Sequence, residues 1–330
     1  MPLYNSNMPS SVIGTGHFLP KRIVENTELS ERLGTPKEQI VKKTGIYARH
    51  WAALEDSASS LAIRAAQQAL ASADVSMRDI DLILVSTTTP DMYFPSTACL
   101  VQKSLTAKPI PAFDINASCS GFLYLLSIAD QYLKNGSAKQ ILAISTEVKS
   151  RFINPSDETT AILFGDGAGA VVMAEGERGF QKISIGADGS RHRLVCLPGG
   201  GSRQPITSET LAQDLHTMEM NGKGLFRMAV KTLEKALLAF QEEASFSFRE
   251  IDHFIFHQAN RRILEALYRK LDIPSKKALM TLSRFGNTSS SSIPIALNVG
   301  VKSGRIKKGD RLLLAAFGGG LTWGCALLDW

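Results

Sequence analysis

Short apolar runs alternate with amphipathic stretches along almost the whole chain. Buried strands are predicted at 11–16 (SVIGTG), 81–88 (DLILVSTT), 111–116, 140–145 (QILAIS), 164–173 (FGDGAGAVVM) and 252–256. Helical spacing appears at 57–73, 97–105, 122–133, 228–242 and 293–301, with a shorter helix at 28–33 closed by Gly34. The segment 39–46 (QIVKKTGI) is a second short element ending in a Thr-Gly turn. Strands alternating with helices predict an α/β fold with mostly parallel sheets covered by helices.

The pattern repeats. Residues 74–90 read DVSMRDIDLILVSTTTP and residues 245–261 read SFSFREIDHFIFHQANR. Asp81 and Asp252 match, an offset of 252 − 81 = 171. The helix after GNTSSSS answers the helix after Cys119, 304–317 answers 136–145, and GGGLTWGCALLDW answers FGDGAGAVVM. Chance explains any one such pair less strainedly than four in the same order. Two similar halves are expected, 1–178 and 179–330.

Composition narrows the class. At 44% hydrophobic, 330 residues can bury a large core, and no apolar run reaches the length of a membrane span. The start, MPLYNSNMPS, lacks the basic and apolar regions of a secretory leader. Cys99, Cys119, Cys196 and Cys325 form no CxxC pair, which disfavours a zinc site or redox dithiol and fits a reducing, cytoplasmic setting. No metal or cofactor motif appears. The net charge of +6 and pI near 9.1 suggest an anionic partner. No basic run of the nucleic-acid type accompanies them, so an acidic protein or phosphorylated cofactor fits better.

Three loops carry chemistry. Cys119 lies among Ala117, Ser118, Ser120 and Gly121, between a strand and a helix. A helix N-terminus favours thiolate, and small neighbours admit a carbonyl; the alternative is a core cysteine. His257 opens HQAN after strand 252–256, and Asn287 lies in RFGNTSSSS at the head of a helix. Singly, these read as a structural histidine and a helix cap. Together with Cys119, at strand ends where ligands gather, they read as one site. Gly318, Gly319 and Gly320 supply either an oxyanion donor or a turn with positive φ. FGDGAGA is no nucleotide fingerprint, because its glycines precede a strand.

With Cys119, HQANRRI, GNTSSSSIP and AFGGGLTWG in view, the sequence resembles the β-ketoacyl-[acyl-carrier-protein] synthase III family over nearly its whole length. The resemblance implies a thiolase fold, a five-layered αβαβα homodimer of two duplicated halves. It implies an acyltransferase that condenses an acyl-CoA primer with malonyl-acyl carrier protein and initiates fatty acid synthesis, with no resident cofactor and neither membrane nor nucleic acid as partner. Carried over by residue, Cys119 holds the acyl group, and His257 and Asn287 donate to the malonyl thioester carbonyl. The N–H groups of Cys119 and Gly319 form the oxyanion hole. Phe317 disfavours the malonyl carboxylate, Phe94 reaches across the dimer to the partner's acyl pocket, Asn260 supports the site, and Arg227 and Arg262 form a basic rim for carrier protein or CoA.

The mouth departs from the family pattern. Gln39 stands in KEQIVKKTGI for a tryptophan, Lys43 for an arginine, and Glu158 in SDETT for another arginine. In the family the tryptophan and arginine sandwich the adenine of CoA, so weak use of acyl-CoA is expected here. Two alternatives are a specialised synthase or acyltransferase using another donor, such as an acyl-carrier protein, and a non-catalytic partner subunit. Retained His257 and Asn287 favour malonyl chemistry; intact Cys119 disfavours the second alternative.

Overall fold

The computed structural model describes residues 8–106 and 108–330; most of the leader reading concerns residues 1–7, outside the described residues. The first sheet contains β1 (Ser10–Phe18), β2 (Leu82–Ser86), β3 (Ala112–Ile115), β4 (Gln140–Glu147) and β5 (Gly167–Glu175), in the order β1-β5-β4-β2-β3. The second contains β6 (Phe180–Ala187), β7 (His253–Phe256), β8 (Arg311–Gly318) and β9 (Thr322–Asp329), in the order β7-β8-β9-β6. Reversed, the second order retraces the first four strands of the first; the edge strand β3 has no counterpart, because the equivalent segment, Leu282–Phe285, is helical.

Side-chain alternation along these strands builds the layers. Ile83, Val85, Leu142 and Ile144 face the alanine-rich helix α1 (Ala58–Ala73) and α2 (Thr97–Leu105). Leu82, Leu84, Ile141 and Ala143 face inward, onto α3 (Gly121–Lys134) and α5 (Ser292–Lys302). Leu312, Leu314 and Ala316 close the same layer from the second sheet, while Leu313, Ala315 and Phe317 face α4 (Gly222–Glu243) and the helix Arg261–Lys270. The result is helix, sheet, helix, sheet, helix.

The sheets are mixed, not mostly parallel as the strand–helix alternation predicts. β2 pairs parallel with β3 and β4, and β7 with β8, across helical connections. β5 runs antiparallel to both β1 and β4, and β9 to both β6 and β8. Only the short turn Gly319–Leu321 joins β8 to β9, and so short a connection returns the chain antiparallel.

The duplication is atomic in detail. Asp81 Oδ2 accepts the N–H groups of Lys139 and Gln140, and Asp252 Oδ2 that of Arg311; 140 + 171 = 311. Asp74 and Ser245, 171 apart, both take positive φ, 55° and 53°. Ser118 and Ser289, also 171 apart, do the same at 51° and 54°.

Candidate active site

β3 ends at Ile115, and Asn116 Oδ1 accepts the Ser118 N–H at 3.2 Å. Ser118, Cys119 and Ser120 form one 3₁₀ turn that feeds α3, so Cys119 sits just ahead of the helix. The other half repeats the device: Asn287 Oδ1 accepts the Ser289 N–H at 2.9 Å, and Ser289–Ser291 feeds α5. Because Oδ1 takes a backbone N–H, the Nδ2 of each asparagine is its free donor end. Asn287 is clamped by its own backbone, with N–H to Leu163 O and C=O from Gly165 N–H. Arg49, fully buried, holds that segment through Ile162 O.

Gly318 ends β8 against the nucleophile turn. A Cβ there would stand 2.8 Å from the Cys119 nitrogen, so only glycine allows the approach. The Gly319 N–H donates to Ser118 Oγ at 3.1 Å. His257 follows β7, is buried, and its Nδ1 pairs with Ser292 Oγ at 2.7 Å, which leaves Nε2 for the Cys119 sulfur. Ser289 Oγ reaches that sulfur at 3.4 Å.

A buried ion pair lies beneath the turn. Glu147, at the end of β4, is fully buried and accepts from Thr88, Thr89, Ser289 and Ser290. Lys149 Nζ stands 3.6 Å from Glu147 Oε2. These charges set the thiol. Burial pushes the Cys119 pKa up, but the charge and hydrogen bond of His257, the Lys149 charge and the Ser289 hydroxyl together outweigh burial and hold it at about 7. Cys325, with burial alone, is pushed up to about 12, and Cys196 is raised as well.

Cys119, His257, Asn287, Phe317 and Gly318–Gly320 line one cavity of about 530 Å³. A second, of about 600 Å³, leads outward and shares Met220, Leu225, Ala259, Ile263 and Asn287 with it. The two make a passage from the surface to the sulfur. Arg227 and Arg262 are exposed on its outer rim, Arg262 with its guanidinium 5.7 Å from the Phe226 ring. Asn260 is also on the rim, where its side chain caps the helix Arg261–Lys270 and donates to Lys43 O at 3.1 Å. Lys43 Nζ and Glu158 Oε1 meet at 2.6 Å across the mouth; Gln39 is exposed and lies outside this lining. Phe94 is 85% exposed and does not line its own chain's cavity, whereas neighbouring Tyr93 does.

Sequence reasoning missed Glu147, Lys149, Ser289 and Ser292. The apolar pattern ends at Ser145, two residues short of Glu147, and the serine run has the composition of a helix cap. The repeat held the signal: 318 − 171 = 147 puts Glu147 opposite the glycine beside the nucleophile. Among the described residues, no cluster of three or more His, Cys, Asp or Glu could hold a metal, and no helix is long and apolar enough to cross a membrane.

Layers, duplication and a cysteine beside a histidine and an asparagine define a thiolase-fold condensing enzyme. The C-terminal family model of 3-oxoacyl-[acyl-carrier-protein] synthase III matches 241–330, and the companion synthase III model matches 113–189. A β-ketoacyl-[acyl-carrier-protein] synthase III of Methylococcus capsulatus is 43% identical over 97% of this chain and 98% of its own. One from Caldanaerobacter subterraneus is 42% identical over 97% and 98%. The crystal structure of the Aquifex aeolicus 3-oxoacyl-[acyl-carrier-protein] synthase III superposes with a TM-score of 0.90 at 41% identity, covering 97% of this chain and 100% of that one. The chain belongs to the β-ketoacyl-[acyl-carrier-protein] synthase III family.

Proposed function

We propose that the chain is an acyltransferase that makes the first carbon–carbon bond of fatty acid synthesis, joining an acyl primer to malonyl-acyl carrier protein. One observation carries this reading: a cysteine with its pKa near 7 shares a mostly apolar cavity with His257 and the Asn287 amide, at the end of a passage open to the surface.

The Cys119 thiolate attacks the primer thioester carbon; the new C–S bond forms as the carrier thiolate leaves. The Cys119 and Gly319 N–H groups receive the oxyanion once Ser118 Oγ swings off Gly319. The malonyl thioester then enters. Its carboxylate meets apolar Phe317 and leaves as CO2. The enolate oxygen takes hydrogen bonds from His257 Nε2 and Asn287 Nδ2. The enolate carbon attacks the acyl-cysteine, giving the 3-oxoacyl thioester and returning the thiolate. The sequence balances without a resident cofactor. CoA and the phosphopantetheine of the carrier protein come and go as substrates, past Arg227, Arg262 and the Asn260 bridge. Division at 178/179 gives the nucleophile to one half and both enolate donors to the other.

Exposed Met92, Tyr93 and Phe94 support a homodimer in which this loop meets a second copy, with Phe94 closing the partner's pocket. The substrates support a cytoplasmic location. Intact-protein mass spectrometry after incubation with acyl-CoA and acyl-carrier-protein donors tests the reading. A single acyl mass on Cys119, absent in Cys119→Ala, is expected. Acyl groups on Cys99, Cys196 or Cys325, or none at all, would overturn it.

A further inference from the structure

Besides His257 and Asn287, the largely apolar Cys119 cavity has a polar corner at Thr88, Thr89 and Lys149, and the exposed Asn116 also lines the cavity. Within it, Lys149 is buried, its side chain 8% exposed. Of its three ammonium donors, one goes to Thr88 Oγ1. The Glu147 carboxylate lies at 3.6 Å, beyond hydrogen-bond length. That carboxylate is already satisfied: it accepts from Thr88 N and Oγ1, Thr89 Oγ1, Ser289 Oγ and Ser290 Oγ. Lys149 therefore keeps two N–H donors without a protein acceptor among the described residues. Asn116, whose Oδ1 holds the Ser118 N–H, has its Nδ2 unpaired there too. Donors thus outnumber acceptors in this corner of a largely apolar pocket.

We propose that the primer accepted by Cys119 is a short acyl group carrying a neutral oxygen acceptor, a hydroxyl, oxo or ether oxygen, bound by Lys149 Nζ and Asn116 Nδ2. This rests on the condensing function above and names the substrate class. The passage toward the rim is taken by the carrier arm, so the acyl tail turns into the inner cavity where the corner lies. A plain alkyl tail there strips water from donors and returns nothing, which a polar site penalises strongly. A carboxylate tail is excluded by charge. Lys149 already faces Glu147, and a second carboxylate would leave the corner net negative and buried.

Pantetheine thioesters of butyrate, 3-hydroxybutyrate, 4-methoxybutyrate and succinate, which lack the CoA nucleotide, separate these cases. Cys119 acylation is followed by mass spectrometry. The wild-type protein should take the hydroxy or methoxy acyl about tenfold or more faster than butyryl at equal concentration, and succinyl slowest. Lys149→Leu should invert the order of butyryl and the oxygenated donors. Lys149→Leu with Glu147→Gln should do the same without leaving an uncompensated carboxylate. A wild-type preference for butyryl overturns the inference. So does succinyl as the best donor, or a uniform loss of rate in both variants with the donor ratios unchanged, the mark of a lysine acting only on the thiol. If either variant does not fold, the wild-type ratios decide. No acylation by any donor would instead sink the condensing function itself.

Discussion

Asn116 and Asn287 are the same turn made twice, 171 positions apart, each bonding through Oδ1 to the N–H two residues on. One stands before the nucleophile and the other before Ser289, and both line the Cys119 cavity. The fold thus aims two equivalent amides at one space from opposite halves. Asn287 is buried, as is His257, whereas Asn116 is exposed, and this difference decides which amide meets the enolate.

The half-reactions should therefore separate. His257→Ala and Asn287→Ala each remove a donor to the enolate, so decarboxylation of malonyl thioester should fall by roughly a hundredfold. Self-acylation should survive in Asn287→Ala, because its oxyanion donors are backbone, and should slow near pH 7 in His257→Ala, where the thiol loses the partner that most lowers its pKa. Release of labelled CO2, measured beside acylation of Cys119, checks this. Wild-type decarboxylation in either variant would reject the assigned role.

Duplicated motifs made the cysteine, histidine and asparagine legible in the sequence: Cys119 and His257 each follow a strand, and Asn287 lies 171 residues after Asn116, although the segment before it, Leu282–Phe285, is a helix and not the strand end that the repeat predicts. The ion pair was not legible in the same way. A Glu and a Lys after an apolar strand look like a surface loop. Their burial depends on hydroxyls from Thr88, Thr89, Ser289 and Ser290, which no local pattern assembles. The mixed sheets were missed for a related reason. The Gly318–Gly320 run carries both an oxyanion donor and a turn, and nothing in its residues alone marks the reversal that it makes between β8 and β9.

Thiol reactivity should titrate near neutrality. With its pKa held at about 7, Cys119 is largely thiolate at pH 8 and largely thiol at pH 6. Its alkylation by iodoacetamide should rise through pH 7 and level off above it, while Cys325, pushed up to about 12, stays inert. Lys149→Met removes a cation that favours the thiolate, so the midpoint should move up. A native midpoint near 9, or a downward shift in the variant, contradicts the assignment.

Asp166 should give stability a pH slope. Burial raises its carboxyl to about 6 against hydrogen bonds from Ser150 and Ala52 and the charge of Arg151. The native state then binds this proton more tightly than the unfolded chain, so the contribution is full at low pH and fades as pH rises from about 4 to 6. The shift corresponds to on the order of 2–3 kcal/mol. Asp166→Asn should flatten that part of the profile. It should also lower stability at pH 7 by about 1–3 kcal/mol, because an amide cannot accept from Ala52 N, Ser150 N and Ser150 Oγ together. Denaturant melts of both proteins across this range measure the difference. Parallel profiles would place the titration elsewhere.

The mouth should discriminate against CoA. Glu158 is tied to Lys43 at 2.6 Å, so the pair presents little net charge to a polyanion, and neither side chain can stack on a purine. Half-exposed as they are, they contribute little to stability, and replacing them should leave the fold intact. Gln39 lies one helical turn before Lys43 in the helix Lys37–Thr44, close enough for a tryptophan there to approach the rim. Gln39→Trp with Glu158→Arg would supply an aromatic face and a guanidinium and would free the Lys43 ammonium. Such stacking and cation–π contact is worth on the order of 1–3 kcal/mol. KM for acyl-CoA should fall by roughly tenfold, the equivalent of about 1.4 kcal/mol. The turnover number and the KM for malonyl-acyl carrier protein should change little, because the mouth is remote from the reacting carbonyl. Steady-state kinetics with both donors, repeated at raised salt to expose the charge contribution, decide the matter. A wild-type protein that already saturates at low micromolar acyl-CoA, or a double variant that gains nothing, would mean that the Lys43–Glu158 pair does not govern CoA binding.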